Sequence, residues 1–205
     1  MKKFIAFLLF ISLCLACCLF GCKKDGGEDT TNEYPEKPDL WSMDLKQYIT
    51  LGEYKGISFK LDEGASKSET VWLTVVENST VISYPEELID YYLAQFEAQY
   101  RYYSQKSGVN YEEILADYGL TEESLIKEAE SYAKDDLVYA AIVKVEGIEI
   151  TEADKAAHFD RFVDQYVAVY GYTKDYVKEN LSEIVYDSML HDKMIEFLIL
   201  NNQFS

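Results

Sequence analysis

Histidine is the side chain best suited to moving protons near neutral pH, and this chain has two, His158 and His191. Each falls on a helical pattern, without the carboxylate–histidine spacing of a metal site, so both read as surface or boundary residues. No serine has a histidine relay beside it in sequence. There is no glycine-rich phosphate loop and no G-x-S-x-G elbow. The carboxylate pairs Glu86-Glu87, Glu112-Glu113 and Glu122-Glu123 each open a helical pattern, where the helix macrodipole favours negative charge. No catalytic residue is assigned on these grounds, and no metal, nucleotide or other cofactor is implied.

The remaining reactive side chains are cysteines, and all four lie in the opening MKKFIAFLLFISLCLACCLFGC. Two lysines precede a seventeen-residue apolar run from Phe4 to Phe20. A spanning helix needs about 20 residues, so the run reads as a secretory signal, with an uncleaved signal anchor as the alternative. Leu19-Phe20-Gly21-Cys22 looks like a bacterial lipobox: an aliphatic residue at −3, a small residue at −1, and the cysteine that becomes the new N-terminus. Cys17 and Cys18 fit that pattern less well. Residues 1–21 would then be a lipoprotein signal peptide, and Cys22 would carry the acyl (palmitate) chains. The expected location is extracytoplasmic, lipid-anchored to a bacterial cell membrane. Cys14, Cys17 and Cys18 leave with the signal, so the body keeps no thiol for a disulfide, a metal or a nucleophile. With 48% apolar composition it can build a core unaided.

Nineteen basic side chains face 37 acidic ones, a net charge of −18, which becomes −20 once Lys2 and Lys3 are removed. Such a surface repels nucleic acid and anionic headgroups, so no nucleic-acid partner is expected and membrane contact falls to the acyl chains.

The densest functional candidate is apolar rather than titratable. YYLAQFEAQYRYY, residues 91–103, places six aromatic rings in thirteen positions, five of them tyrosine. The elements that position it can be read from punctuation. Residues 22–40 are polar, hold two of the three prolines and read as a flexible tether, with order beginning at Trp41. Residues 41–82 read as a short strand and linker: alternation at Ile57, Phe59 and Leu61 suggests one strand, GASKS breaks it, and residues 70–81 are open between strand and helix.

From residue 83 the pattern is helical. Ser83 with Glu86 forms a capping-box signature around Pro85, and that helix should stop at Gly108. Asn110 with Glu113 caps a short helix, Thr121 opens one ending at Gly147, and Thr151 with Asp154 caps one ending at Gly171. Thr173 starts the last segment, with a break near Ser182. The expected fold is mostly α: a helical-arm bundle of four or five helices over residues 83–205, with a short β or irregular N-terminal segment.

Phe159, Phe162, Val163, Tyr166, Val167 and Tyr170 make one apolar helix face, and residues 137–145 should be the most buried stretch. The 85–107 helix differs, because its apolar arc spans about 200°, with Tyr91 and Tyr102 extending one edge of it. One neighbouring helix cannot cover that arc. Either two elements sandwich it or some rings stay exposed.

Several segments, in order, resemble the C-terminal domain of trigger factor. They are ENSTVISYPEELIDYYLAQFE (77–97), the run from NYEEILADYGLTEE to EGIEITEAD (110–154), and YGYTKDYVKENLSEIVYDSMLHDKMIEFLI (170–199). LGEYKGI (51–57) looks like the lead into the family's FKBP-type prolyl isomerase domain, but about twenty residues stand where that domain needs roughly a hundred. The resemblance therefore implies the helical domain without the isomerase or the ribosome-docking domain. It implies helical arms that hold unfolded polypeptide weakly, with Tyr91, Tyr92, Phe96, Tyr100, Tyr102, Tyr103, Tyr166 and Tyr170 as candidate peptide contacts. The function so implied is a membrane-anchored chaperone for unfolded or newly exported polypeptides. Two alternatives stand beside it: an isomerase-related folding factor with a degenerate or absent catalytic domain, and a non-catalytic adaptor subunit of an envelope complex. An exposed tyrosine surface could equally form a homodimer interface.

Overall fold

The structure, a computed structural model, describes residues 34–205. The signal segment, Cys22 and the first part of the tether lie outside the described residues. Seven α-helices dominate those residues: α1 (Lys67–Asn78), α2 (Glu86–Ser107), α3 (Tyr111–Asp117), α4 (Glu122–Glu146), α5 (Glu152–Tyr170), α6 (Lys174–Asn180) and α7 (Ser182–Leu200). Four two-residue strands accompany them: β1 (Ile49–Thr50), β2 (Ser58–Phe59), β3 (Thr80–Val81) and β4 (Gln203–Phe204). The fold is mostly α, as the punctuation implied, with more helices than the four or five expected.

The helix starts follow from local chemistry. Asn110 Oδ1 accepts from the Glu113 N–H at 2.9 Å and caps α3. At α5 Thr151 Oγ1 accepts from the Asp154 N–H at 3.2 Å, while Asp154 Oδ2 accepts from the Thr151 N–H at 2.8 Å, a complete capping box. Gly108 and Gly171 end α2 and α5 in the left-handed conformation that glycine adopts without penalty. The Ser83–Glu86 capping box does not form. Pro85 itself is the capping residue, so Ser83 stands two positions too early, and α2 begins without a side-chain cap.

The chain divides into two compact units. The first holds the described residues up to Ser42 together with Ser83–Asp135, that is α2, α3 and the first part of α4. Helices α2 and α3 pack on each other, and Leu40, Leu88, Phe96, Ile114, Ala129 and Ala133 are buried. Order in this unit therefore reaches back through Leu40 into the expected tether, whereas Trp41 is exposed.

The second unit joins Met43–Ile82 to Asp136–Ser205. The segment expected as strand and linker thus belongs almost wholly to this unit, and its helix is built into the core. Ser66 Oγ caps α1 by accepting from the Glu69 N–H at 3.4 Å, which decides residues 67–78 as helix. Val71, Trp72 and Val75 are then buried on one face, and α1 packs on α7. Helix α5 packs on α6 and α7, and residues 137–143 of α4 are buried throughout, whereas Lys144 and Val145, expected in the same buried stretch, are exposed.

Strand pairing closes this unit. β1 and β3 pair antiparallel, with Ile49 opposite Val81. β2 and β4 pair in parallel, and the rings of Phe59 and Phe204 stack at 5.0 Å. The segment LGEYKGI, which resembled a lead into another domain, is bound to the C-terminal tail here. Asn202 Oδ1 accepts from the Ile57 N–H at 2.8 Å, and its amide donates to the carbonyls of Tyr54 at 3.0 Å and Leu198 at 2.7 Å. Gly52 is required by a close approach: a Cβ there would lie 2.2 Å from the Asn78 carbonyl oxygen.

Candidate functional site

Because α2 is amphipathic over a wide arc, its rings fall into two environments within the first unit. Phe96 is only 2% exposed and sits 5.8 Å from the Tyr132 ring. It is a core residue, which corrects its expected place among the peptide contacts. Tyr92 stacks on Tyr132 at 5.4 Å and meets Tyr91 edge-on at 5.2 Å. Both Tyr91 and Tyr92 are half-buried.

Further along α2 the rings are more open, with Tyr100 and Tyr103 half-buried. Tyr102 is 45% exposed, and Tyr118, just past α3, is 63% exposed. Tyr100 links them: its ring lies 5.9 Å from Tyr118 and 6.2 Å from Tyr103, which in turn is 6.1 Å from Tyr102. Four rings thus run together across α2 and the end of α3. Burial pushes the Tyr100 hydroxyl above its ordinary pKa, so it stays a neutral donor at any physiological pH.

Basic groups cover part of this surface. The Arg101 guanidinium sits 4.7 Å over the Tyr111 ring while pairing with Glu97, and the Lys106 ammonium sits 5.5 Å over Tyr102. The result is a patch of flat, stiff, neutral faces with a polar rim, suited to weak contact with apolar chain segments.

Tyr166 and Tyr170 lie in the second unit and belong to a different cluster. Tyr166 is buried, with its hydroxyl 2.9 Å from Ser188 Oγ. From Tyr170 the rings of Tyr172 and Tyr176 continue at 5.9 Å and 5.0 Å. The structure therefore separates the eight candidate residues into two groups. Sequence reasoning passed over Tyr118, Tyr132, Tyr172 and Tyr176, although Tyr118 stands immediately before the Gly119 helix stop.

Among the described residues no cluster of histidine, cysteine, aspartate and glutamate could hold a metal ion. A cleft of about 370 Å³ in the second unit is lined by Asp154, His158, Arg161, Phe162, Met189 and Lys193, among others. Its cations are paired, Arg161 with Asp192 at 3.1 Å and Lys193 with Asp154 at 2.7 Å. The Lys193 and Thr151 hydrogen bonds hold the Asp154 carboxyl well below the usual range.

His191 packs between Trp72, at 5.8 Å, and Tyr139, at 5.4 Å. Burial holds its imidazole below the ordinary value, against the opposing pull of Asp187, Asp192 and Asp136. The unfolded chain then takes up a proton near pH 6.5 that the folded one refuses, so stability is complete above about pH 6.5 and falls as pH drops below it. The paired carboxylates lose their contribution only below about pH 4, which leaves a window for the histidine alone. Denaturant titrations between pH 7 and pH 5 should show this loss in the wild type and a flatter profile in His191→Gln.

Comparison with known proteins extends the geometry. Residues 62–200 match the family described as bacterial trigger factor protein (TF) C-terminus. The trigger factor of Halothermothrix orenii is 29% identical over 197 residues, covering 88% of this chain and 45% of that protein. The trigger factor of Caldicellulosiruptor bescii is 27% identical over 184 residues, covering 82% of this chain and 41% of its own length. That of Bacillus thuringiensis is 26% identical over 191 residues, covering 85% and 43%. This chain thus spans less than half the length of the curated relatives it matches. No solved structure matches it. With its family match running from the turn before α1 to the end of α7, the chain belongs to the bacterial trigger factor C-terminus family.

Proposed function

We infer that this protein is a non-catalytic chaperone that captures unfolded or newly exported polypeptides weakly and reversibly, held at an extracytoplasmic membrane face by lipid on Cys22. The observation that carries the reading is the open tyrosine patch of the first unit, Tyr100, Tyr102, Tyr103 and Tyr118. Burying so many large rings would be the ordinary fate of a core; here two of the four are well exposed. Tyrosine supplies contact area with few torsions to freeze, and its hydroxyl keeps an empty patch soluble. Family membership supports a folding factor, and the chain's acidity keeps such a surface from self-association. Anchoring would raise the local concentration of weak sites where polypeptides emerge.

Suppression of aggregation tests the activity. Residues 23–205, added in excess to a chemically denatured client on dilution, should lower light scattering. A trace equal to that of an inert protein would remove the chaperone reading. The lipobox supports the anchor. Cys22→Ser should move the protein from the membrane to the soluble fraction and abolish incorporation of labelled palmitate; unchanged membrane association would remove that part of the proposal.

A further inference from the structure

Helix α2 buries two glutamines in the first unit, Gln95 and Gln99, on the side of the helix that also carries Phe96 and Tyr103. Gln99 is 7% exposed, and its amide nitrogen donates to the Tyr103 hydroxyl at 3.2 Å. Its carbonyl oxygen Oε1 is buried and has no hydrogen-bond partner among the described residues. An unmet buried acceptor opposes folding, and an apolar residue of the same shape would avoid that loss. Among the described residues, the side chain that Gln99 engages belongs to the tyrosine patch. Tyr103 is half-buried, and its ring neighbours are Tyr100 and Tyr102.

We propose that Gln99 Oε1 is a hydrogen-bond anchor for a backbone N–H of an extended polypeptide segment lying on the Tyr100–Tyr102–Tyr103 patch. This rests on the client-binding reading above and adds to it what the patch recognises: the peptide group itself, not only apolar side chains. Tyr103 acts as the gate. Its single long hydrogen bond to Gln99 is weak, and turning its side chain away opens the amide to an entering strand. A backbone donor is present at every residue except proline, so such an anchor is blind to sequence while fixing how the segment lies. Rings alone would hold any greasy surface; ring plus acceptor selects unfolded chain, whose peptide groups are unpaired. A prolyl or N-methylated residue at the anchor would be rejected, because its nitrogen has no proton to give.

The test is a cycle of two changes on the full-length protein. One is Gln99→Met, of similar shape and without the acceptor. The other is a set of versions of one apolar synthetic peptide, each N-methylated at a different residue. Wild type should bind the unmethylated peptide roughly three- to tenfold more tightly than the version methylated at the anchored residue, the fold-change a single hydrogen bond supports. Gln99→Met should bind all versions equally, while its urea midpoint stays level or rises. Equal binding of every version by the wild type, or an N-methyl effect that persists in Gln99→Met, overturns the anchor. If the wild type binds no version at all, the client reading fails with it; if it binds all versions alike, that reading stands and the anchor alone is lost. Tyr103→Phe gives a second reading independent of Gln99 folding: it removes the gate's hydrogen bond, so affinity for the unmethylated peptide should rise. Unchanged or weaker binding there counts against the gate.

Discussion

Phe96→Ala should destabilise the protein by about 3–5 kcal/mol, the range for deleting a buried phenylalanine where neighbours cannot collapse into the space. The first unit gives little room for repair. Its other buried apolar residues among those described are Leu40, Leu88, Ile114 and two alanines, and Phe96 is the largest of the set. Tyr132, 5.8 Å away, is itself stacked on Tyr92, so its ring is not available to fill the gap. Natural domains are stable by about 5–15 kcal/mol, so this one change removes a large share. Tyr102→Ser on the same helix should stay within about 0.5 kcal/mol, because its ring is already 45% exposed. Urea unfolding followed by circular dichroism separates the two. A loss below about 1 kcal/mol for Phe96→Ala would mean that this ring is not the core of the unit, and would return it to the candidate contacts.

The contrast between these two rings marks where reading from sequence stops. Helix ends were legible because they are local: Asn110, Thr151 and Thr173 meet donors three residues on, and Gly108, Gly147 and Gly171 need only their own backbone. Residues 137–143 were legible because they are apolar in every direction. Residues 67–78 were not, since TVWLTVV is rich in β-branched side chains that favour strands. The Ser66 cap and the burial of Val71, Trp72 and Val75 against α7 overrode that preference.

The tie between Ile57 and Asn202 spans 145 residues and leaves no periodic signal. At the site, periodicity placed Phe96 and Tyr102 on one arc but could not say which neighbours cover which end. Tyr118 and Tyr132 escaped notice because each stands alone in sequence and joins a cluster only through the packing of its own unit.

The open patch should account for most of the affinity for unfolded chain. Tyrosines at interfaces are often the residues whose truncation costs most, and each aromatic contact contributes about 0.5–1.5 kcal/mol beyond its area. Removing Tyr102, Tyr103 and Tyr118 together should therefore weaken client binding by roughly ten- to a hundredfold. The core is expected to survive, since Phe96, Leu88 and Ile114 are untouched. Changing Tyr170, Tyr172 and Tyr176 in the second unit serves as the comparison. It removes as many rings, two of which sequence reasoning had not proposed, from a cluster whose innermost member, Tyr166, is engaged with Ser188.

The most direct measurement is equilibrium binding of a fluorescently labelled, permanently unfolded polypeptide to three proteins whose circular dichroism spectra agree. These are the wild type, the Tyr102→Ser/Tyr103→Ser/Tyr118→Ser variant, and the Tyr170→Ser/Tyr172→Ser/Tyr176→Ser variant. The account predicts saturable binding by the wild type, a loss of at least about tenfold in the first variant, and a smaller change in the second. Equal affinity of the first variant and the wild type would contradict it, and would leave the tyrosines of α2 as packing alone.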